Sequence, residues 1–144
     1  NGSRPDVLRR LVDEGLVQCV ALDFKAPLDE RLFRAAGGEV DLAAVKESFA
    51  FVAASSIERE YHTTLCPAFV STDDLREMAR FLDKRGAWFL QQYNPGDVLD
   101  PGAAGDHKLS DDELVALAEE IEAIRPGVKA MGVLHVAIRK RDVW

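Results

Sequence analysis

Val20-Ala21-Leu22-Asp23-Phe24-Lys25-Ala26-Pro27 closes a largely apolar run that begins at Leu16, and its reading decides the fold. Strand side chains alternate between two faces, so Asp23 and Lys25 share one face with Cys19 and Ala21. Val20, Leu22 and Phe24 take the other face and form a surface for helices to cover. Pro27 ends the run because it has no N–H to give to a ladder. A carboxylate and an ammonium side by side at a strand tip have a plain explanation in a local ion pair, worth little where exposed. Their sharper explanation is a binding site at the C-terminal edge of a parallel sheet, where open α/β sheets and α/β barrels hold ligands.

Outward from this strand, the chain repeats a helix-then-strand unit four times. A helix from about residue 5 to 14 precedes the strand, with Ser3 as its expected cap, Val7, Leu8, Leu11 and Val12 as its stripe and Gly15 as its terminator. Asp41 caps a second helix over about residues 42 to 54, in which Leu42, Val45, Phe49 and Val52 recur at helical spacing. A strand follows from Ile57 to Cys66, closed by Pro67. Ser71 and the acids after it start a third helix with Leu75, Met78, Ala79 and Leu82 inward. The next strand, about residues 87 to 94, is closed by Pro95-Gly96. The capping box Ser110-Asp111-Asp112-Glu113 starts the last helix, whose stripe is Leu114, Leu117, Ile121 and Ile124. The last strand is expected from about Val128 to Ile138. Strands separated by helices of this length pair in parallel with right-handed crossovers, so the fold class is α/β.

The links are lopsided. Those from helix to strand are short, whereas Lys25 to Val40 and Pro95 to Leu109 are long loops at the C-terminal ends of strands, where function concentrates. The first is expected to hold a short helix around residues 29 to 36, ended by Gly37-Gly38.

Length and composition suit one domain with a real core: 144 residues, 47% hydrophobic and 30% charged. A net charge of -7 disfavours nucleic acid as a partner, which asks for a basic surface. The longest uninterrupted apolar run, Phe49 to Ala54, is far too short to span a bilayer, so no membrane partner is expected. No signal peptide is visible, and Cys19 and Cys66 read as reduced core residues of a cytoplasmic protein. Neither has the close Cys or His neighbours of a metal site, and no metal site is expected on this chain.

The strand tips suggest where ligand would sit. One face of the second strand carries Glu58, Glu60, His62, Thr64 and Cys66. One face of the third carries Trp88, Leu90, Gln92 and Asn94. With those faces turned the same way, Asp23, Lys25, His62, Thr64, Gln92 and Asn94 converge above an apolar sheet, the usual form of a ligand site. The opposite alternation also contains polar residues, Arg59, Tyr61 and Thr63 among them. No catalytic residue is assigned, and His107 and His135 receive no role. GxGxxG, P-loop and HExxH motifs are absent.

Four segments in order resemble a family. Asn1-Gly2-Ser3, followed by a Pro-x-x-Leu helix, is similar to the end of a Thr-Asn-Gly element. Leu22-Asp23-Phe24-Lys25-Ala26-Pro27-Leu28-Asp29 resembles an Asp-x-Lys strand end. Tyr61-His62-Thr63-Thr64-Leu65-Cys66-Pro67 is similar to an R-T-T-V-x-P strand, with His62 where arginine is usual. Leu90-Gln91-Gln92-Tyr93-Asn94-Pro95-Gly96 is similar to an L-Q-Q-F-R-P-G strand, with Asn94 where arginine or histidine is usual. These belong to the C-terminal half of radical S-adenosylmethionine (SAM) activating enzymes, especially the activators of anaerobic ribonucleotide reductase and pyruvate formate-lyase.

The resemblance implies a half TIM-type barrel of the radical SAM fold, with this chain as its C-terminal portion. It implies an oxidoreductase that uses SAM and a [4Fe-4S] cluster to generate a glycyl radical on a partner enzyme. Asp23, Lys25 and Asn94 would bind cofactor, with His62, Thr64 and Gln92 lining the cofactor or substrate side. The family's Cys-x-x-x-Cys-x-x-Cys loop and Gly-Gly-Glu-Pro-like strand are not in this sequence. The chain alone is therefore expected to be inactive, its missing N-terminal half a partner, and its open sheet edge a route to a dimer. Two other readings stand beside this one: a barrel-type lyase forming a Schiff base on Lys25, and a non-catalytic interaction module using the loop from Pro95 to Leu109.

Overall fold

The computed structural model describes residues 2–94, 102 and 108–132. Among them, the order is α1 (Pro5–Asp13), β1 (Cys19–Asp23), α2 (Arg31–Ala36), α3 (Leu42–Ala54), β2 (Glu58–Leu65), α4 (Thr72–Phe81), β3 (Ala87–Gln92), α5 (Asp111–Glu122) and β4 (Val128–Met131). The sequence-level boundaries of β1 to β3 run one or two residues too long at most ends. The expected extension of β4 beyond residue 132, His107, His135 and most of the loop from Pro95 to Leu109 lie outside the described residues. No helix among the described residues is long and apolar enough to cross a membrane.

Local chemistry explains the helix starts. The Asp41 carboxylate accepts from Ala44 N at the start of α3. Ser71 with Asp74, and Ser110 with Glu113, form reciprocal capping boxes at α4 and α5, each satisfying donors that the helix itself leaves free. Arg4, and not the expected Ser3, occupies the N-cap of α1, with no side-chain cap bond, and Pro5 at the first helical position starts the turn instead.

The four strands form one open parallel sheet in the order β1-β2-β3-β4. Sequential order with crossovers of one hand brings the connecting helices to one side. Burial agrees. Val20, Leu22, Phe24, Tyr61, Leu65, Trp88, Leu90, Val128 and Ala130 join Val45, Phe49, Val52, Leu75, Met78, Leu114 and Ile121 of the helices in one core. A buried polar pair sits within that core: the Thr63 hydroxyl donates to Phe24 O at 2.5 Å and accepts from Trp88 Nε1 at 2.9 Å. The other sheet face carries Cys19, Ala21, Asp23, Glu58, Glu60, His62 and Thr64, all exposed or half-buried. Cys19 is thus exposed and not in the core, because its place in the alternation faces away from the helices; Cys66 is buried, and both thiols are free.

The N-terminal end of the sheet is closed by charged groups. Arg125, fully buried, donates to the carbonyls of Asp83, Arg85, Gly86 and Pro126. Arg59 donates to the carbonyls of Ala53, Ser55 and Ile57, and its Nη1 reaches Asp83 Oδ2 at 3.3 Å, which also accepts from Tyr61 OH at 3.0 Å. Gly86 sits in the middle, at a positive φ of 76°, where a Cβ would lie 2.3 Å from Arg59 O. Gly86→Ala is therefore expected to lower the unfolding free energy by at least about 2 kcal/mol, from left-handed strain and the steric clash together; urea denaturation followed by Trp88 fluorescence measures it.

Candidate functional site

The face turned away from the described helices holds the polar groups, and the register decides which of them meet. Asp23 is the Cα partner of His62, and His62 of Phe89; Phe89 is the partner of Lys129. Paired residues of a sheet share a face, so this row lies on the open side. Asp23 and Lys25 stand at its edge, Lys25 Nζ 3.4 Å from Asp23 Oδ2, each side chain about half exposed. A half-exposed pair of this kind is weakly bound and free to exchange its partner for a ligand.

Thr64 and Gln91 form the next row. Thr64 Oγ1 donates to Gln91 Oε1 at 3.3 Å, and Gln91 Nε2 lies 3.1 Å from His62 Nδ1. The His62 ring stacks at a tilt on Phe89, 5.1 Å between centroids, and the Lys129 ammonium sits 5.6 Å above the other ring. Glu60 Oε1 approaches His62 Nε2 at 3.1 Å.

The structure brings Asp23, Lys25, His62 and Thr64 to one face, as expected, but not Gln92. Pairing of Tyr61 with Trp88 and of Thr63 with Leu90 turns Trp88, Leu90 and Gln92 toward the helices. Gln92 accordingly donates from Nε2 to Leu109 O at 2.6 Å, just ahead of α5. The expected inward face of β3 is thus the wrong one. The physical reason is the size and apolarity of Trp88 and Leu90, both fully buried, which belong in the core. Asn94 is exposed and lies two residues past β3, outside the paired rows. Gln91 is the group the sequence reading missed; once Trp88 is known to be buried, the strand period turns Gln91 to the other face.

The long loop after β1 is tied down by one arginine. Arg31 donates to Asp29 from its backbone N and from Nε, and reaches Asp74 Oδ1 at 2.6 Å and Glu77 Oε2 at 2.8 Å on α4. Leu32 buries its side chain in the core, and Gly37 ends α2 in the left-handed conformation, so the expected short helix is present. The Arg31 guanidinium holds the Asp29 carboxyl down at about 2. For Asp74, burial acts upward, but hydrogen bonds from Ser71 and Arg31 outweigh it and bring the carboxyl below its usual range.

Among the described residues, no three His, Cys, Asp or Glu side chains gather in a group able to hold a metal ion. Cavities of about 390 Å³ lie elsewhere, one at the N-terminal strand ends beside Cys19, Glu58 and Arg85, and one between α3 and α4 lined by Phe49, Ala53, Tyr61 and Phe81. At the first of these, desolvation and then the charges of Glu60 and Glu58 push the Cys19 thiol up, which disfavours the thiolate that a nucleophile or ligand needs. No family model, no curated protein and no solved structure matches the chain.

Removal of the Arg31 tie is expected to free the loop while leaving the sheet. In Arg31→Ala, backbone amides of residues 29–37 should exchange at least about tenfold faster by hydrogen-exchange mass spectrometry, with those of β2 and β3 unchanged. Acid acts in the same direction. The folded-state value of Asp29 is below its unfolded one, so its pairing stabilises the loop fully above about pH 4 and is lost as pH falls through about 2.

Proposed function

We propose that this chain is the C-terminal part of an iron-sulfur, SAM-dependent activase that generates a glycyl radical on a partner enzyme, most like the activator of anaerobic ribonucleotide reductase. The observation that carries the reading is the placement of Asp23 and Lys25 at the C-terminal end of β1, on the face of a sequentially ordered parallel sheet that the described helices leave uncovered. Helices on one face and strands in chain order are what consecutive units of a half TIM-type barrel have, and the bare face then becomes the barrel interior. The four resembling segments support the same assignment. A cytoplasmic setting goes with it. In this reading the edges of β1 and β4 are where the remaining barrel strands, or a second copy, would add.

The residues present fit the amino-acid end of SAM. That group carries one ammonium and one carboxylate, and the site offers one side chain of each opposite charge on a shared face. Lys25 would pair with the carboxylate and Asp23 with the ammonium, exchanging their mutual contact for charge-assisted bonds to ligand. The residues do not fit the cluster. Cys19 begins β1 and Cys66 follows the end of β2, so two thiols at opposite ends of the sheet stand where three are needed. No step of the chemistry is therefore assigned to a residue of this chain, whose part is binding and orientation. Bound SAM and a cluster held by other residues would supply the radical reaction. The Schiff-base reading asks for a lysine desolvated in an apolar pocket, and Lys25 is instead half exposed.

In the full-length protein, Lys25→Ala and Asp23→Asn are each expected to weaken SAM binding about tenfold or more by equilibrium dialysis. The 144-residue chain by itself is expected not to cleave SAM under reducing, anoxic conditions. Unchanged SAM affinity in both variants would remove the reading.

A further inference from the structure

The sheet face carries a hydrogen-bonded chain whose polarity can be worked out atom by atom. Gln91 lies between three neighbours: Thr64 Oγ1 at 3.3 Å from Oε1, and His62 Nδ1 at 3.1 Å and Met131 Sδ at 3.3 Å from Nε2. A hydroxyl can donate or accept, so Thr64 does not orient the amide. A thioether has no proton to give, so Met131 accepts only and requires the amide nitrogen on its side. That same nitrogen then donates its other hydrogen to His62 Nδ1. A neutral imidazole has one bare and one protonated nitrogen, so an accepting Nδ1 leaves the proton on Nε2. Nε2 is buried 3.1 Å from Glu60 Oε1, but off the line of a good hydrogen bond. Proximity to that carboxylate also favours a proton there and not a lone pair.

We propose that Gln91 is a positioning residue that fixes His62 in the Nε2–H tautomer, so that His62 serves this face as a donor on its Glu60 side and offers no base at Nδ1. The charged groups around the ring on this face are Asp23 at the end of β1, Lys25 just past it, Glu60 on its own strand, and Lys129 of β4. Among the described residues, no helix packs over them. The inference deepens the SAM-site reading, on which it rests only for the identity of the ligand. A donor beside Asp23 and Lys25 suits an acceptor oxygen of that ligand, reached when Glu60 turns aside.

The tautomer is read directly by long-range ¹H–¹⁵N correlation spectra of the ¹⁵N-histidine-labelled chain, recorded above neutral pH without SAM. His62 is assigned by the signals lost in His62→Gln. Wild type is expected to show a bare nitrogen at Nδ1 and a protonated one at Nε2. In Gln91→Leu both shifts should move toward a tautomeric average. In Gln91→Glu, whose carboxylate only accepts, the proton should move to Nδ1 and the two shifts should exchange. Averaged shifts or an Nδ1–H ring in wild type would overturn the proposal, as would an unchanged tautomer in Gln91→Glu. Because Glu is nearly isosteric with Gln, that variant carries the test where the leucine variant does not fold. A tautomer that behaves as expected here, with SAM affinity of the full-length protein unchanged in Lys25→Ala and Asp23→Asn, would count against the SAM reading alone.

Discussion

The parallel register of β2 against its neighbours aligns Leu22, Tyr61, Trp88 and Val128 in one row and Asp23, His62, Phe89 and Lys129 in the next. The first row is buried under the helices and the second is turned away from them. A slip of one residue at either interface would exchange the two rows on one strand, sending Trp88 into water or His62 into the core. The aromatic cluster shows how firmly this is held. Phe24 meets Phe49, Phe81 and Trp88 at ring distances of 5.0 to 6.3 Å, and Phe49 stacks on Tyr61 at 5.7 Å. Phe24, Phe49, Tyr61 and Trp88 are all buried, which makes the slipped alternatives costly. The candidate site is thus a consequence of core packing on the opposite face of the same strands.

The two ends of the sheet solve different problems. At the N-terminal end, short helix-to-strand links leave backbone carbonyls that no strand can pair. Arg59 and Arg125 supply a fan of donors to them, with Asp83 offsetting the charge. Burial works against the charged form of Arg125, and the arrangement persists because all of its acceptors are in place; a half-satisfied version would be worse than an apolar plug. Burial, with Asp83 beside it, also pushes the Tyr61 hydroxyl up, so that it stays a donor. At the C-terminal end the groups are exposed or half-buried and bonded to one another. Rigidity below and exchangeable contacts above are what a binding edge requires.

On the open face, charge and hydrogen bonding divide the work. Asp23 and Lys25 present one charge of each sign. The chain from Thr64 through Gln91 to His62 adds hydrogen-bonding groups, with Phe89 and Met131 beside it. In the proposed reading such a face suits a ligand of mixed charge better than a simple anion or cation, because Asp23 and Lys25 stand 3.4 Å apart.

From sequence alone, the helix–strand alternation, the caps at Asp41, Ser71 and Ser110, and the face of β1 were legible, because each depends on neighbours within a few residues. The alternation of β1 is unambiguous: one of its faces is wholly apolar. β3 is different. Trp88, Leu90 and Gln92 share a face, as do Phe89 and Gln91, so each face mixes apolar and polar groups, and period two does not say which looks outward. Only pairing with β2 and burial of Trp88 decided that, and it put Gln91 in the place read for Gln92. The Arg59–Asp83–Arg125 closure and the Arg31 tie to α4 were equally invisible, since they join residues 24 to 46 apart whose approach is set by crossovers and not by local pattern. Asp23 and Lys25, two residues apart on one strand, needed no tertiary structure to be found together; the company they keep did.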